Sequence, residues 1–288
     1  MPRLNDRIRL DDGRWLGFSE SGHPQGAPVF VFHGLPGSRL QQHPNEDIAT
    51  SLGLRLIGID RPGFGQSDFN PRRRLLDWPD TVLTLADRLG VGRFRVAGVS
   101  GGAPYALACA CKFPSRLDGT LIVSGAGPYE AFRNAAMGRT PRLALTLARH
   151  TPGLLRPLAR WMAQTGRQSP DRYLDRLSHT LAPIDSAILA RPDVRGMFRS
   201  DLPEAFRGGP QGMIHDLSLL ARPWGFGLEE VRADVQLWHG EADTSVPVTV
   251  GRYLAAELPR CRARILPTDG HFMVLERWAE ILEHWLAA

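Results

Sequence analysis

Short apolar runs alternate with amphipathic stretches along most of the chain, and this pattern predicts an α/β fold. Residues 28–32 and 54–59 are nearly continuous apolar runs, which is typical of strands buried on both faces of a sheet. An Asp12-Gly13 turn between residues 8–10 and 15–18 adds an antiparallel hairpin at the start. The alternation also predicts strands beginning at Phe94 and covering 117–123, 234–238 and 263–266, and helices at 80–89, 103–111, 248–257 and 273–287. Such an order indicates a mostly parallel sheet with helices on both faces.

The alternation stops between residues 128 and 227, where the pattern predicts no strand. Helical pieces at 140–148, 155–162 and 174–190 are separated by prolines and glycines. We therefore expect one α/β core, residues 1–127 and 228–288, interrupted by a helical cap at 128–227. An insertion after a sheet strand is typical of a lid over a site. Ten cap side chains are candidates either to line a pocket or to pack between cap helices: Tyr129, Phe132, Met137, Trp161, Met162, Met197, Phe198, Phe206, Met213 and Trp224.

A glycine-rich turn lies between the strand that begins at Phe94 and the helix predicted at 103–111. Residues 98–102 read Gly-Val-Ser-Gly-Gly, which matches the pattern G-x-S-x-G around Ser100. Such a turn holds the serine in a strained backbone conformation, and its outer glycines let strand and helix approach closely. The hydroxyl group then lies at a helix N-terminus, where developing negative charge is stabilised. A strand-to-helix turn with a capping serine is the alternative interpretation.

A serine hydroxyl needs a base to accept its proton, and that base needs an acceptor to fix its tautomer. Ser100, Asp243 and His271 follow three predicted strands in the chain order serine, carboxylate, histidine. Glu241 and Asp269 are rival carboxylates, but Asp243 lies deeper in its loop. We interpret six other histidines as structural: His23, His43, His150, His179, His215 and His284.

Two loops at the ends of predicted strands are candidates for positioning roles. The loop that follows residues 28–32 is rich in glycine and proline, so it can point backbone N–H groups outward, and Leu35 is the candidate donor. A tight turn is the alternative. Asp60 and Arg61 open the loop after residues 54–59, and we expect them to hold that loop rather than to take part in chemistry. The segment lacks the third glycine of a dinucleotide-binding fingerprint.

Composition excludes several classes of protein. A chain of 288 residues with 43% hydrophobic and 23% charged residues is typical of a globular protein, not of a disordered or fibrous one. No apolar run reaches 18 residues and the first twelve residues have mixed charge, so we expect no membrane span, no secretory signal and a cytoplasmic location. Cys109, Cys111 and Cys261 are interpreted as small core residues rather than as a metal site.

The net charge of +5 comes from the middle of the chain, where 14 arginines oppose 8 acidic residues between positions 127 and 228. These arginines are scattered, so solvated helix faces are favoured over nucleic-acid binding. An anionic substrate or acyl group is a second hypothesis for the excess. We predict a small-molecule substrate and no cofactor, metal, nucleic-acid or membrane partner; the oligomeric state does not follow from the sequence.

Taken together, the motifs resemble those of the α/β-hydrolase superfamily. The matching segments cover nearly the whole chain except the cap: residues 33–34, 60–65, 98–102, 240–247 and 270–271. The resemblance implies a catalytic triad of Ser100, Asp243 and His271, with an oxyanion hole formed by the backbone N–H groups of Leu35 and Gly101. Val99 and Gly101 differ from the residues that many relatives carry there, which leaves the subfamily open.

The serine nucleophile narrows the chemistry that the resemblance implies. Relatives that dehalogenate alkanes or open epoxides use aspartate at the turn, so Ser100 points to acyl transfer. We expect a cofactor-independent serine hydrolase, foremost a carboxylic ester hydrolase for a small or medium acyl substrate. A proline-iminopeptidase-like aminopeptidase is an alternative, weakened by the arginine-rich cap. A carbon–carbon bond hydrolase, a perhydrolase and a ligand-binding receptor with a vestigial triad are the others.

Overall fold

An eight-stranded sheet forms the centre of the computed structural model, which describes residues 3–41, 46–133, 135 and 139–287. The sheet order is β1-β2-β4-β3-β5-β6-β7-β8. β1 pairs antiparallel with β2 and β2 with β4, whereas the other neighbours are parallel. The mostly parallel sheet is therefore confirmed. Its strands are β1 (Arg3–Arg9), β2 (Trp15–Gly22), β3 (Ala27–Phe32), β4 (Leu54–Ile59), β5 (Phe94–Val99), β6 (Leu117–Val123), β7 (Val235–Gly240) and β8 (Cys261–Leu266).

Helices of the core cover both faces of this sheet. Side chains alternate along β3, so that Phe30 and Phe32 pack in one apolar cluster and Val29 and Val31 in another on the opposite face. The predicted final helix is divided in two because Arg277 leaves the helical conformation, with φ −111° and ψ 19°. The core helices are α1 (Glu46–Ser51), α2 (Trp78–Arg88), α3 (Ala103–Lys112), α11 (Val248–Glu257), α12 (Met273–Glu276) and α13 (Trp278–Leu286).

Among the described residues, seven α-helices lie between β6 and β7, in the segment for which a cap was expected and which is called the cap below. The single helix expected at 174–190 is wrong: α7 ends at Ser178 and α8 begins at Pro183, because proline is suited to a first helical turn but not to a helix interior. The candidate residue Met137 lies outside the described residues. The cap helices are α4 (Tyr129–Arg133), α5 (Arg139–His150), α6 (Arg156–Gln168), α7 (Pro170–Ser178), α8 (Pro183–Ala190), α9 (Pro192–Ala205) and α10 (Gln211–Leu220).

A buried carboxylate of the cap, Asp216 on α10, docks the cap onto the core. Its Oδ2 accepts a hydrogen bond from Arg61 Nε at 2.8 Å, and its Oδ1 accepts one from the Tyr105 hydroxyl at 2.7 Å. Arg73 also donates to Oδ1. Burial acts to raise the pKa of Asp216, but the Arg73 and Arg61 guanidinium groups outweigh it and lower the pKa to about 2. Buried ion pairs therefore join the cap to the core.

We predict that Asp216→Asn destabilises the protein. Two buried guanidinium groups would lose their counter-charge, which costs about 3–5 kcal/mol in the free energy of unfolding. Because the folded-state pKa is depressed, this contribution is present above pH ~4 and is lost as the pH falls through about 2. Urea unfolding at pH 7 measures the loss.

Asp193→Asn is the matched control, since Asp193 forms an exposed ion pair with Arg191 on the cap surface. Its loss costs less than about 1 kcal/mol. An equal change in the two variants would contradict the role assigned to Asp216.

Candidate active site

The turn between β5 and α3 presents Ser100 at the carboxyl edge of the sheet. Ser100 has φ 53°, one of only two positive values at non-glycine positions in the described ranges. Glycines on both sides are required by close approach: a Cβ at Gly98 would lie 2.7 Å from the Gly102 carbonyl oxygen, and one at Gly102 would lie 2.1 Å from the Phe32 carbonyl oxygen. The strained elbow expected from the sequence is therefore present.

Ser100, His271 and Asp243 meet in one hydrogen-bonded chain. The Ser100 Oγ lies 3.0 Å from His271 Nε2, and His271 Nδ1 lies 2.8 Å from Asp243 Oδ2. The three residues follow β5, β7 and β8, whose carboxyl ends meet at one edge of the sheet. This arrangement lets the imidazole accept the serine proton while the carboxylate fixes its tautomer.

The loop after β7 fixes Asp243 in place. Asp243 Oδ1 accepts hydrogen bonds from the backbone N–H groups of Ser245 and Val246, both at 2.8 Å. The two rival carboxylates are engaged elsewhere, Glu241 with Arg252 and Asp269 with Arg277. The preference for Asp243 as the acid beside His271 therefore agrees with the geometry.

Opposing effects set the pKa of His271. Burial acts to lower it, because an imidazolium ion is poorly solvated inside the protein. The charge of Asp243 and its hydrogen bond raise the pKa, and the charge of Asp185 adds to them. The net result is a pKa above its ordinary value, so His271 becomes protonated at a higher pH than a free histidine.

The cap supplies a further contact to the histidine loop through Asp185 on α8. Its Oδ2 accepts a hydrogen bond from the His271 backbone N–H and its Oδ1 accepts one from the Phe272 N–H, both at 2.8 Å. Gly270 is required here, because a Cβ would lie 2.3 Å from the carboxylate. No sequence pattern connects Asp185 with His271, since 86 positions separate them.

The loop after β3 places Leu35 beside the elbow. A Cβ built on Gly101 would lie 3.5 Å from the Leu35 backbone nitrogen, so the two backbones are adjacent. Arg61 holds this loop by donating to the carbonyl oxygens of His33 and Gly34, the latter at 2.9 Å. Asp60 accepts from the backbone N–H of Arg39 at 2.7 Å. Asp60 and Arg61 thus hold neighbouring loops, as well as their own through the Gln66 N–H.

A family model for the alpha/beta hydrolase fold matches residues 27–277. The chain belongs to the α/β-hydrolase family. A 2-hydroxymuconate semialdehyde hydrolase from Pseudomonas putida is 24% identical to this hydrolase, over 94% of this chain and 92% of the relative. A proline iminopeptidase from Xanthomonas citri is 31% identical over 43% of this chain and 40% of its own length.

Solved structures agree with this family on the fold. An esterase from Exiguobacterium antarcticum has a TM-score of 0.71 at 18% identity, with 99% of this chain and 100% of that chain covered. A bromoperoxidase from Bacillus anthracis has a TM-score of 0.74 at 16% identity and the same coverage. The family and its relatives make this chain a hydrolase enzyme, and the relatives' names span several kinds of bond.

A cavity of about 420 Å³ opens beside Ser100 and His271 of the hydrolase. No Asp, Glu, Lys or Arg is present among the described residues that line it. Of the cap candidates, Phe132, Met162, Met197 and Phe198 line the cavity. Five others do not: Tyr129, Trp161, Phe206, Met213 and Trp224. The site is therefore an apolar chamber formed jointly by core and cap.

Two buried histidines support the site without reaching the serine. His239 lies 2.8 Å from the Val246 carbonyl oxygen, and burial lowers its pKa, so it adds no charge beside Asp243. His33 lies 2.8 Å from the Gly34 carbonyl oxygen in the loop that carries Leu35. Both were visible in the sequence as the first residue of a His-Gly pair at a strand end.

Three other histidines make contacts away from Ser100. His23 accepts from the Gln25 N–H, His215 lies 3.1 Å from the Arg73 carbonyl oxygen, and the His284 ring packs 5.8 Å from that of Trp238. His43 lies outside the described residues.

We predict that Asp185→Asn impairs turnover in this hydrolase. An amide cannot accept from two N–H groups with both of its ends, so the histidine loop shifts and kcat falls about 10- to 100-fold. The Asp185 charge helps to raise the pKa of His271, so its removal moves the acid limb of the kcat/KM profile to lower pH.

The control is Asp175→Asn, which removes an exposed carboxylate paired with Arg195 on the cap surface. It should leave kcat and the acid limb unchanged. A fall in stability without a shift of the acid limb would reduce Asp185 to a docking contact only.

Proposed function

We propose that the chain is a carboxylic ester hydrolase that acts through Ser100, His271 and Asp243 on small or medium, uncharged acyl groups. The observation that carries this proposal is the position of the hydrogen-bonded chain at the wall of a cavity whose described lining includes no Asp, Glu, Lys or Arg. A cavity of about 420 Å³ falls in the range of small-molecule sites, about 300–1,000 Å³.

The proposed reaction proceeds through an acyl-enzyme. Ser100 Oγ attacks the ester carbonyl carbon while His271 Nε2 accepts the hydroxyl proton. The oxyanion that forms accepts hydrogen bonds from the backbone N–H groups of Leu35 and Gly101. His271 then donates the proton to the leaving alcohol. A water molecule attacks the acyl carbon while the same imidazole accepts its proton, and His271 returns that proton to Ser100 Oγ as the acid leaves. Asp243 stabilises the imidazolium at each stage.

The lining of the cavity argues for an apolar acyl group. A carboxylate on the substrate would need a basic partner when it leaves water, and no arginine or lysine is found among the described lining residues. The described lining therefore gives no support to the hypothesis that the arginine excess selects an anionic substrate at this site. The aminopeptidase alternative loses support as well, because the described lining has no carboxylate to bind a substrate amine.

A carbon–carbon bond hydrolase is the second candidate. It is suggested by the relative from Pseudomonas putida, a 2-hydroxymuconate semialdehyde hydrolase, whose match covers 94% of the chain. The same serine and histidine would serve it. The substrate that this name includes is a carboxylate, however, and the described lining of the cavity has no Arg or Lys to pair with such a group. This contrast favours the ester over the carbon–carbon substrate.

We predict sustained hydrolysis of p-nitrophenyl esters, with a higher kcat/KM for medium acyl chains than for acetate because apolar contacts in the cavity increase with chain length. Ser100→Ala should lower kcat by about 10³ or more. Ser245→Ala, which removes a second hydroxyl at the same cavity, should retain most of the turnover.

Equal activity of native chain and Ser100→Ala would contradict the assignment of the nucleophile. If neither turns esters over, 2-hydroxymuconate semialdehyde is the next substrate. A single equivalent of product per chain would instead favour the receptor with a vestigial triad.

We also predict that kcat/KM falls on acidification, because only neutral His271 accepts the serine proton. The pKa of His271 is raised, so the half-maximal value lies above pH 6.5 in the free enzyme. Ester hydrolysis measured from pH 5 to 9 gives the profile, and tryptophan fluorescence at each pH verifies that the fold is intact. A flat profile between pH 5 and 8 would exclude His271 as the base.

A further inference from the structure

Apolar side chains are concentrated on the outer surface of the cap. Leu154, Leu158 and Trp161 are 67%, 52% and 39% exposed, and their spacing of four and three residues places them along one edge of the helical segment that contains α6. Leu143 on the neighbouring α5 is also exposed. Four of the seven large hydrophobic residues that are exposed in the described ranges therefore lie within 19 residues of sequence.

The same part of the cap is rich in arginine and has no acidic residue in its sequence. Residues 131–170 contain seven arginines and no aspartate or glutamate. Arg156, Arg160 and Arg167 are exposed along α6, and no ion pair joins them to any residue that the structure describes. On α9, by contrast, Arg195 and Arg199 both pair with Asp171. The arginines of α6 therefore lack the carboxylate partners that Arg195 and Arg199 have.

A shallow depression lies on the basic side of α6. Arg160 and Arg167 line it together with Gln164, Gln168 and the adjacent Pro210. Guanidinium groups bind phosphate with directed hydrogen bonds, and the amide side chains add further donors. On the apolar side, Arg176 lies 4.7 Å above the Trp161 ring, which combines an aromatic group with a cation at the same surface.

We propose that this surface, defined by Leu154, Leu158, Trp161 and the arginines 156, 160 and 167, docks the protein on an anionic lipid bilayer. Helices that lie at a bilayer surface combine exposed Leu and Trp with Arg, and basic residues near anionic lipid add about 1 kcal/mol each. The described helices include none that is long and apolar enough to cross a membrane, and a surface contact requires none. This proposal departs from the expectation of no membrane partner.

The position of the surface relative to the cavity supports this partner. Leu145 on α5 and Met162 on α6 line the catalytic cavity, while Leu143 and Leu158 on the same helices face outward. A bilayer at this surface would therefore contact the outer faces of two helices that form the chamber wall. The docking proposal itself does not depend on ester hydrolysis.

Co-sedimentation with sucrose-loaded vesicles tests the proposal on the full chain. We expect binding to vesicles of phosphatidylcholine with 30% phosphatidylglycerol and little binding to phosphatidylcholine alone. Raising the salt from about 0.05 to 0.5 M should release the protein, because counter-charges are screened. Combined Arg156→Gln, Arg160→Gln and Arg167→Gln should weaken partitioning about fivefold for each arginine, roughly 100-fold in all. Leu154→Ser with Leu158→Ser should weaken it at least about tenfold.

Matched controls separate this surface from general charge and hydrophobicity. Arg88→Gln, Arg93→Gln and Arg199→Gln together remove the same charge from arginines that are paired with Asp11, Asp118 and Asp171. Leu4→Ser with Phe69→Ser removes exposed apolar side chains outside the cap. Both should bind vesicles like the native chain, and thermal unfolding midpoints verify that all variants fold.

Four outcomes would overturn the proposal. These are the absence of anionic-lipid binding, equal binding to both vesicle types, equal losses in test and control variants, and sensitivity to the arginine changes alone. Sensitivity to the arginine changes alone would indicate that the surface binds polyanions in general. Binding to duplex DNA would then test that interpretation. Light scattering that shows self-association abolished by the leucine changes, with no vesicle binding, would assign the surface to a second copy of the chain.

Discussion

The ion pairs between Asp216 and the guanidinium groups of Arg61 and Arg73 are the contact on which the geometry of the site depends. Arg61 donates hydrogen bonds both to Asp216 and to the carbonyl oxygens of His33 and Gly34. These bonds fix the loop that carries Leu35. A buried guanidinium group without a carboxylate is unstable, so undocking of the cap would destabilise the loop that Arg61 holds. The cap therefore does more than cover the site, because it completes the electrostatics of the core beneath it.

Other buried carboxylates of the cap repeat this arrangement. Asp201 on α9 accepts hydrogen bonds from the Ser38 backbone N–H and hydroxyl, and burial raises its pKa to about 7. Asp185 binds the backbone beside the base, at His271. Moving the cap as one body would break all of these contacts at once and leave charges of both signs unpaired. Access to the cavity is thus more readily explained by movement of individual cap helices than by opening of the whole cap.

The sequence predicted those features that rest on local patterns. Period and turn residues identify the strands and the elbow around Ser100, and chain order together with strand ends identifies Asp243 and His271. Asp185 and Asp216 were out of reach because their partners lie 86 and 155 positions away, and no spacing rule connects residues on separate elements. The break in the helix before Pro183, in contrast, could have been predicted from the sequence, since proline is common at the start of a helix.

The arginines that give the chain its net positive charge differ in their surroundings. The net charge alone suggested either solvated helices or an anionic substrate. In the structure, Arg195 and Arg199 on α9 pair with Asp171, whereas the arginines of α6 have no such partner among the described residues. No arginine is present in the described lining of the cavity. The positive charge of α6 therefore lies on the outer surface of the protein. A chamber whose described lining includes no Asp, Glu, Lys or Arg, behind a basic and apolar outer surface, would suit an apolar acyl group presented from an anionic phase. This joins the two proposals without making either depend on the other.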